Sequence, residues 1–133
     1  MKRILFAFLI VCSLNSYSQV LNFQSFDYYT STWGGDEGFQ VSDFFKKQIL
    51  ITIDNRKDLI TMYDNVLVEL EIIKYGDIDK NSFQTTYWYT CINNINVECN
   101  VAITEPTKFK NAYWELGIHY SDHLVTTRMI PLN

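Results

Sequence analysis

Residues 83–103 read FQTTYWYTCINNINVECNVAI, and the way this stretch pairs with itself decides the fold. Apolar and aromatic residues recur with a period close to 2 on both sides of Asn93-Asn94-Ile95-Asn96, the pattern of two strands joined by a tight turn. With Asn94-Ile95-Asn96 as a three-residue loop, Cys91 stands opposite Cys99, Tyr89 opposite Val101 and Tyr87 opposite Ile103, all on one face. The other face collects Thr90 with Asn100, Trp88 with Ala102 and Ile92 with Glu98, a mixed set suited to partial exposure. A slip of one residue would set core-type side chains against polar ones along the ladder, so the pattern selects the register that makes the cysteines neighbours.

The same period runs outward in both directions. Ile49, Ile51 and Ile53 alternate with Leu50, Thr52 and Asp54, and the polar run 54–58 turns the chain into a second β-rich segment, 59–63. Val66, Val68, Leu70 and Ile72 then share one face, with Glu69 and Glu71 on the other, as expected of a strand with one wet side. Residues 75–81 read as a loop. Residues 112–120 and 124–130 supply two more strands around a turn at Ser121-Asp122, which pairs His119 with Leu124, Ile118 with Val125 and Trp114 with Met129. With a strand near 23–32, the sequence predicts one antiparallel all-β domain of about eight strands, either a sandwich or a small barrel. Ser42-Asp43 can cap one short helix or irregular turn reaching Gln48, the alternative being a strand that leads into 48–53.

Lys2 and Arg3, the apolar run 4–11 and the small residues of Ser16-Tyr17-Ser18 have the order of a secretory signal. The run is shorter than the about 20 apolar residues of a membrane helix, so cleavage after Ser18 is expected. That leaves a single domain at 19–133 and a secreted or periplasmic location. Cys12 follows Ile10-Val11 and not the small residue of a lipid-attachment site. The remaining chain keeps 9 of the 11 Lys and Arg and all 15 Asp and Glu, so its formal charge is −6 where the whole sequence has −4. Nucleic acid and anionic membrane call for basic surface, and neither is an expected partner. After signal removal no integral membrane segment is expected.

In an oxidising compartment, Cys91 and Cys99 are expected to form a disulfide, a local staple across the hairpin. A zinc site would need further Cys or His nearby, and His119 and His123 fall on opposite faces of another hairpin. A thioredoxin-like redox pair would be C-x-x-C at a helix start. Asp77-Ile78-Asp79-Lys80-Asn81 alternates like the start of a calcium loop, but Ser82 and Trp88 stand where glycine and glutamate belong. No metal or cofactor is expected. Nucleophile elbows, phosphate loops and H-E-x-x-H are absent from the sequence, which supplies no catalytic residues to name.

The remaining feature is aromatic content, 16% of the chain. Tyr87, Trp88 and Tyr89 are consecutive, so in a strand they straddle the sheet. Together with Trp33 and Trp114 they are the candidates for contact with a small apolar ligand or a protein partner, the bland alternative being core packing. The sequence therefore points to a non-enzymatic binding module. An envelope structural or assembly protein working through a sheet edge or face comes second, and a hydrolase third.

The order of signal, Trp-bearing N-terminal segment, "ILITIDNRKDLITMYD" at 49–64 and C-x7-C hairpin resembles small secreted all-β proteins of Gram-negative bacteria. The resemblance implies a compact exported β domain and transfers no functional motif. Lipocalin-like barrels are similar in placing a Trp near the mature N-terminus, though they carry Gly-x-Trp where this chain has Ser31-Thr32-Trp33-Gly34.

Overall fold

The computed structural model describes residues 20–33, 39–41, 45–46, 48–63, 66–109 and 112–132. The expected signal at 1–18 and Cys12 lie outside the described residues. Ten strands follow in chain order: β1 (Val20–Trp33), β2 (Phe39–Val41), β3 (Phe45–Lys46), β4 (Leu50–Asp54), β5 (Leu59–Tyr63), β6 (Leu67–Lys80), β7 (Gln84–Asn93), β8 (Glu98–Pro106), β9 (Trp114–His119) and β10 (His123–Pro131). From β4 to β10 each strand pairs antiparallel with the next, and β1 joins the two ends of the row. It meets β4 through Val20–Gln24 and β10 through Phe23–Thr32. Strands β1 and β4 to β10 thus close an eight-stranded antiparallel barrel, with no helix among the described residues.

The choice of barrel over sandwich rests on β1. Its length lets it serve both neighbours, and a bulge between Ser25 and Asp27 bends it between them. Beyond the β4 pairing the same edge of β1 continues with Tyr28 opposite Phe45 and Trp33 opposite Phe39. Strands β2, β3 and β4 therefore act as one interrupted partner whose register moves by a residue at each break. Of the segment 42–48, where a short helix or irregular turn, or else a strand leading into 48–53, is expected, the described residues Phe45–Lys46 are strand and Gln48 lies between strands. The unpaired backbone groups along β1 need partners, and pairing supplies them where a single capped turn would not.

Side chains on the inward face form the core. Phe23, Ile60, Leu70, Val101 and Met129 are each at most 1% exposed and fill much of the barrel's length. Outward positions carry Glu69, Glu71, Glu98 and Glu115, all exposed. Both anticipated hairpin registers are present, with Cys91 opposite Cys99, Tyr87 opposite Ile103, His119 opposite Leu124 and Trp114 opposite Met129. Asn96 takes a φ of 62° at the β7–β8 turn, the left-handed corner that lets a three-residue loop close.

The segment 75–81, expected as a loop, is instead strand to Lys80. In β6, Ile72, Tyr75 and Ile78 lie opposite Cys91, Tyr89 and Tyr87 of β7, three residues advancing for every two. Two bulges absorb the difference and return an inward-facing side chain each time. Gly76 sits in the second, where a Cβ would lie 3.0 Å from Trp88 O and 3.1 Å from Trp88 Cβ.

The disulfide expectation is corrected. Cys91 and Cys99 are neighbours and buried, but both are free thiols. Asn93 N–H donates to Val97 O at 3.0 Å, which makes 93/97 a hydrogen-bonded pair and, two residues along, 91/99 another. Such pairs hold Cβ atoms near about 5.5 Å, outside the roughly 3.5–4.5 Å of a disulfide. Burial and the neighbouring Cys99 push the Cys91 thiol up to about 12, and burial raises Cys99 as well.

Candidate functional site

At the barrel end where β4 turns into β5, the core does not reach the rim. A cavity of about 780 Å³ lies there, walled by Leu21, Ile53, Ile78 and Ile103. Leu21, Ile53 and Ile103 belong to the inward alternation of their strands, which also builds the core, and the second bulge of β6 brings Ile78 to the same wall. Four aromatics complete the wall: Tyr75, Tyr87, Tyr89 and Trp114. Trp114 is fixed from below by Phe23, ring centroids 5.0 Å apart, and Tyr75 meets Tyr89 edge-on at 5.6 Å.

The polar groups of the cup sit at its rim. Asp58, held at a φ of 51° in the β4–β5 turn, accepts a hydrogen bond from Tyr75 Oη at 2.5 Å. Across the mouth, Tyr87 Oη donates to Glu105 Oε2 at 3.1 Å. Asn55 contributes a buried Oδ1 with no hydrogen-bond partner among the described residues. Burial raises the pKa of Tyr75, Tyr87 and Tyr89. The carboxylates bonded to the first two add to it, because ionising a phenol beside an anion is unfavourable. The three hydroxyls are therefore neutral donors at physiological pH.

A second, smaller cavity of about 140 Å³ lies toward the other end, lined by Tyr28, Ile49, Met62 and Val125 among others. Phe23, Leu70, Val101 and Met129 are buried and line neither cavity.

Of the aromatic candidates, the structure brings Tyr87, Tyr89 and Trp114 together in the cup and leaves two elsewhere. Trp88 is on the outer face, donating from Nε1 to Asp79 Oδ2 at 3.1 Å and tilted against His119 at 5.4 Å. Trp33 ends β1 opposite Phe39, and its side chain lies outside the described residues. Sequence reasoning missed Tyr75, Asn55, Asp58 and Glu105. Glu105 had a signal, since the inward parity of Cys99, Val101 and Ile103 reaches it next. Tyr75 had none, because its inward position depends on a bulge.

His119 and His123 do not meet. His123 Nδ1 and Asp122 Oδ1 are 2.6 Å apart, but the Asp122 side chain is 82% exposed on the β9–β10 turn and lines none of the cavities above. That pair does not supply the cleft-bound acid and histidine a hydrolase would need. Compared with protein-family models, curated proteins and solved structures, the chain matches none at a significant level.

Proposed function

We propose that this chain is a non-enzymatic binding module that holds a small, largely apolar molecule in the cup at the β4–β5 end of the barrel. The observation that carries the reading is the cavity of about 780 Å³, within the range of small-molecule sites and lined by apolar and aromatic side chains with a few polar groups at one rim. The inside-apolar, outside-charged alternation is the reverse of a membrane barrel, which fits a protein working in water. The expected signal at 1–18 would place it outside the cytoplasm.

The direct test is titration with N-phenyl-1-naphthylamine, a neutral apolar fluorophore. The expected result is a saturable rise in emission with one site per chain, with energy transfer from Trp114. Leu21→Trp, which fills the mouth, should abolish the signal while leaving the far-ultraviolet circular dichroism unchanged. Non-saturable emission, or emission indifferent to Leu21→Trp, would remove the cup as the binding site.

A second reading has one observation in its favour. Pairing of β6 with β5 ends at Glu71, so from Ile73 to Lys80 the outer edge of β6 is unpaired among the described residues. Ile73 and Ile78 are exposed there. An envelope assembly protein could add a strand at that edge. Two bulges and the charges of Lys74, Asp77, Asp79 and Lys80 are devices that discourage such pairing, so the cup is the stronger proposal.

A further inference from the structure

The polar chemistry of the cup restricts what it can hold, and this inference rests on the binding reading above. Among the eleven described lining residues there is no Lys, Arg or His, while two, Asp58 and Glu105, are carboxylates. Each accepts one tyrosine hydroxyl through one oxygen, and no other side-chain hydrogen bond to either is found among the described residues. Asn55 adds a buried Oδ1 acceptor without a partner. The cations of the same turn point elsewhere. Arg56 Nε donates to Asp54 Oδ1 at 3.3 Å, and Lys57 stands beside Glu69 and Glu71 on the outer wall.

An apolar anion such as a fatty acid would bring a third negative charge to this rim with no cation to meet it, which is costly in a partly desolvated site. A protonated amine meets the opposite conditions. Its N–H donors meet three acceptor groups with an oxygen to spare, Asp58, Glu105 and Asn55, and the faces of Tyr75, Tyr87 and Tyr89 present negative quadrupole density to a cation. The chain's net negative charge adds long-range attraction. We infer that the cup is a site for an apolar molecule bearing a single ammonium group, with the ammonium at the Asp58–Glu105 rim and the apolar body against Ile53, Ile103 and Trp114.

The experiment compares 4-phenylbutylamine, 4-phenylbutan-1-ol and 4-phenylbutanoate, which share one apolar body, by isothermal titration at pH 7.5 and by displacement of N-phenyl-1-naphthylamine. The expected order is amine, alcohol, carboxylate, with the amine favoured over the carboxylate by roughly tenfold or more, as one charge-assisted contact supplies. Glu105→Gln and Asp58→Asn should each lower amine affinity and leave the alcohol unchanged, a readout that loss of folding could not mimic. Equal affinities, or a preference for the carboxylate, would overturn the amine assignment while saturable fluorophore binding keeps the cup as a site. Failure of the neutral fluorophore and all three ligands would overturn both.

Discussion

Arg128 and Asp27 bridge β10 and β1, the seam that closes the barrel, and their unequal burial makes an asymmetric prediction. Arg128 Nη2 and Nε donate to the two oxygens of Asp27, the second bond at 3.1 Å, and the guanidinium lies over Phe26 at 5.5 Å and Tyr113 at 5.9 Å. The Asp27 side chain is 8% exposed and that of Arg128 is 42% exposed. Arg128→Met strands a buried carboxylate and should cost about 3 kcal/mol, the low end for a broken buried pair because one partner borders solvent. Asp27→Asn leaves a guanidinium that can rehydrate and still stack on both rings, so about 1 kcal/mol is expected. Adding Asp27→Asn to Arg128→Met should recover roughly 2 kcal/mol, since no charge is then left stranded. Urea unfolding followed by Trp fluorescence reads these differences. At a slope of about 1.5 kcal/mol/M the midpoint falls by about 2 M for Arg128→Met and by less than about 1 M for Asp27→Asn. A double variant as unstable as the sum of the two singles would refute the reasoning, because it would mean that the two charges do not feel each other.

Gly76→Ala pushes a methyl against the Trp88 backbone and should cost about 1–2 kcal/mol, with a shift in Trp emission. An unchanged denaturation midpoint would mean the second β6 bulge is absent. In a chain begun at Gln19, Cys91 and Cys99 should resist a thiol reagent at pH 8 in the native state and both react in urea without reductant. Finding no thiols after unfolding would restore the disulfide. The raised tyrosines link stability to alkaline pH. Their contribution is complete below the ordinary tyrosine value of about 10 and is lost as pH rises through the higher folded values. Urea midpoints should therefore fall above about pH 10, and less steeply in Tyr89→Phe. An identical slope in that variant would show that its hydroxyl is not shielded as described.

The strands and their faces were legible because the information is local. One polar turn and a period of 2 fix the register of 83–103 and of 114–129, and both appear in the barrel as anticipated. Closure was not legible, since the pairing of Phe23 with Pro131 joins residues at opposite ends of the chain and leaves no mark in either neighbourhood. The strand at Phe45–Lys46 was missed for a related reason: its stabilising partner is Tyr28, and nothing nearby outweighs a capping signal. Inward placement of Tyr87, Tyr89 and Trp114 followed from parity alone. That they line a hollow and not a filled core depends on how far the surrounding strands extend, which composition does not encode. The cysteines show the limit most plainly. Their adjacency came from register, whereas their bonding depends on which kind of antiparallel pair they occupy.

The three-for-two advance of β6 along β7 makes one edge of that hairpin longer than the other. Two surplus residues amount to about 7 Å of extra contour on the β6 side, and a ribbon with unequal margins must curl. Residues can accordingly be removed at the surplus positions without changing which side chains meet across the ribbon. Trimming one residue from each bulge would still set Ile72, Tyr75 and Ile78 against Cys91, Tyr89 and Tyr87. What would change is the curl, and with it the span from Asp58 to Glu105. The width of the opening is thus adjustable by chain length independently of the chemistry of its lining, so a lineage of such barrels could resize the cup without changing the side chains that wall it.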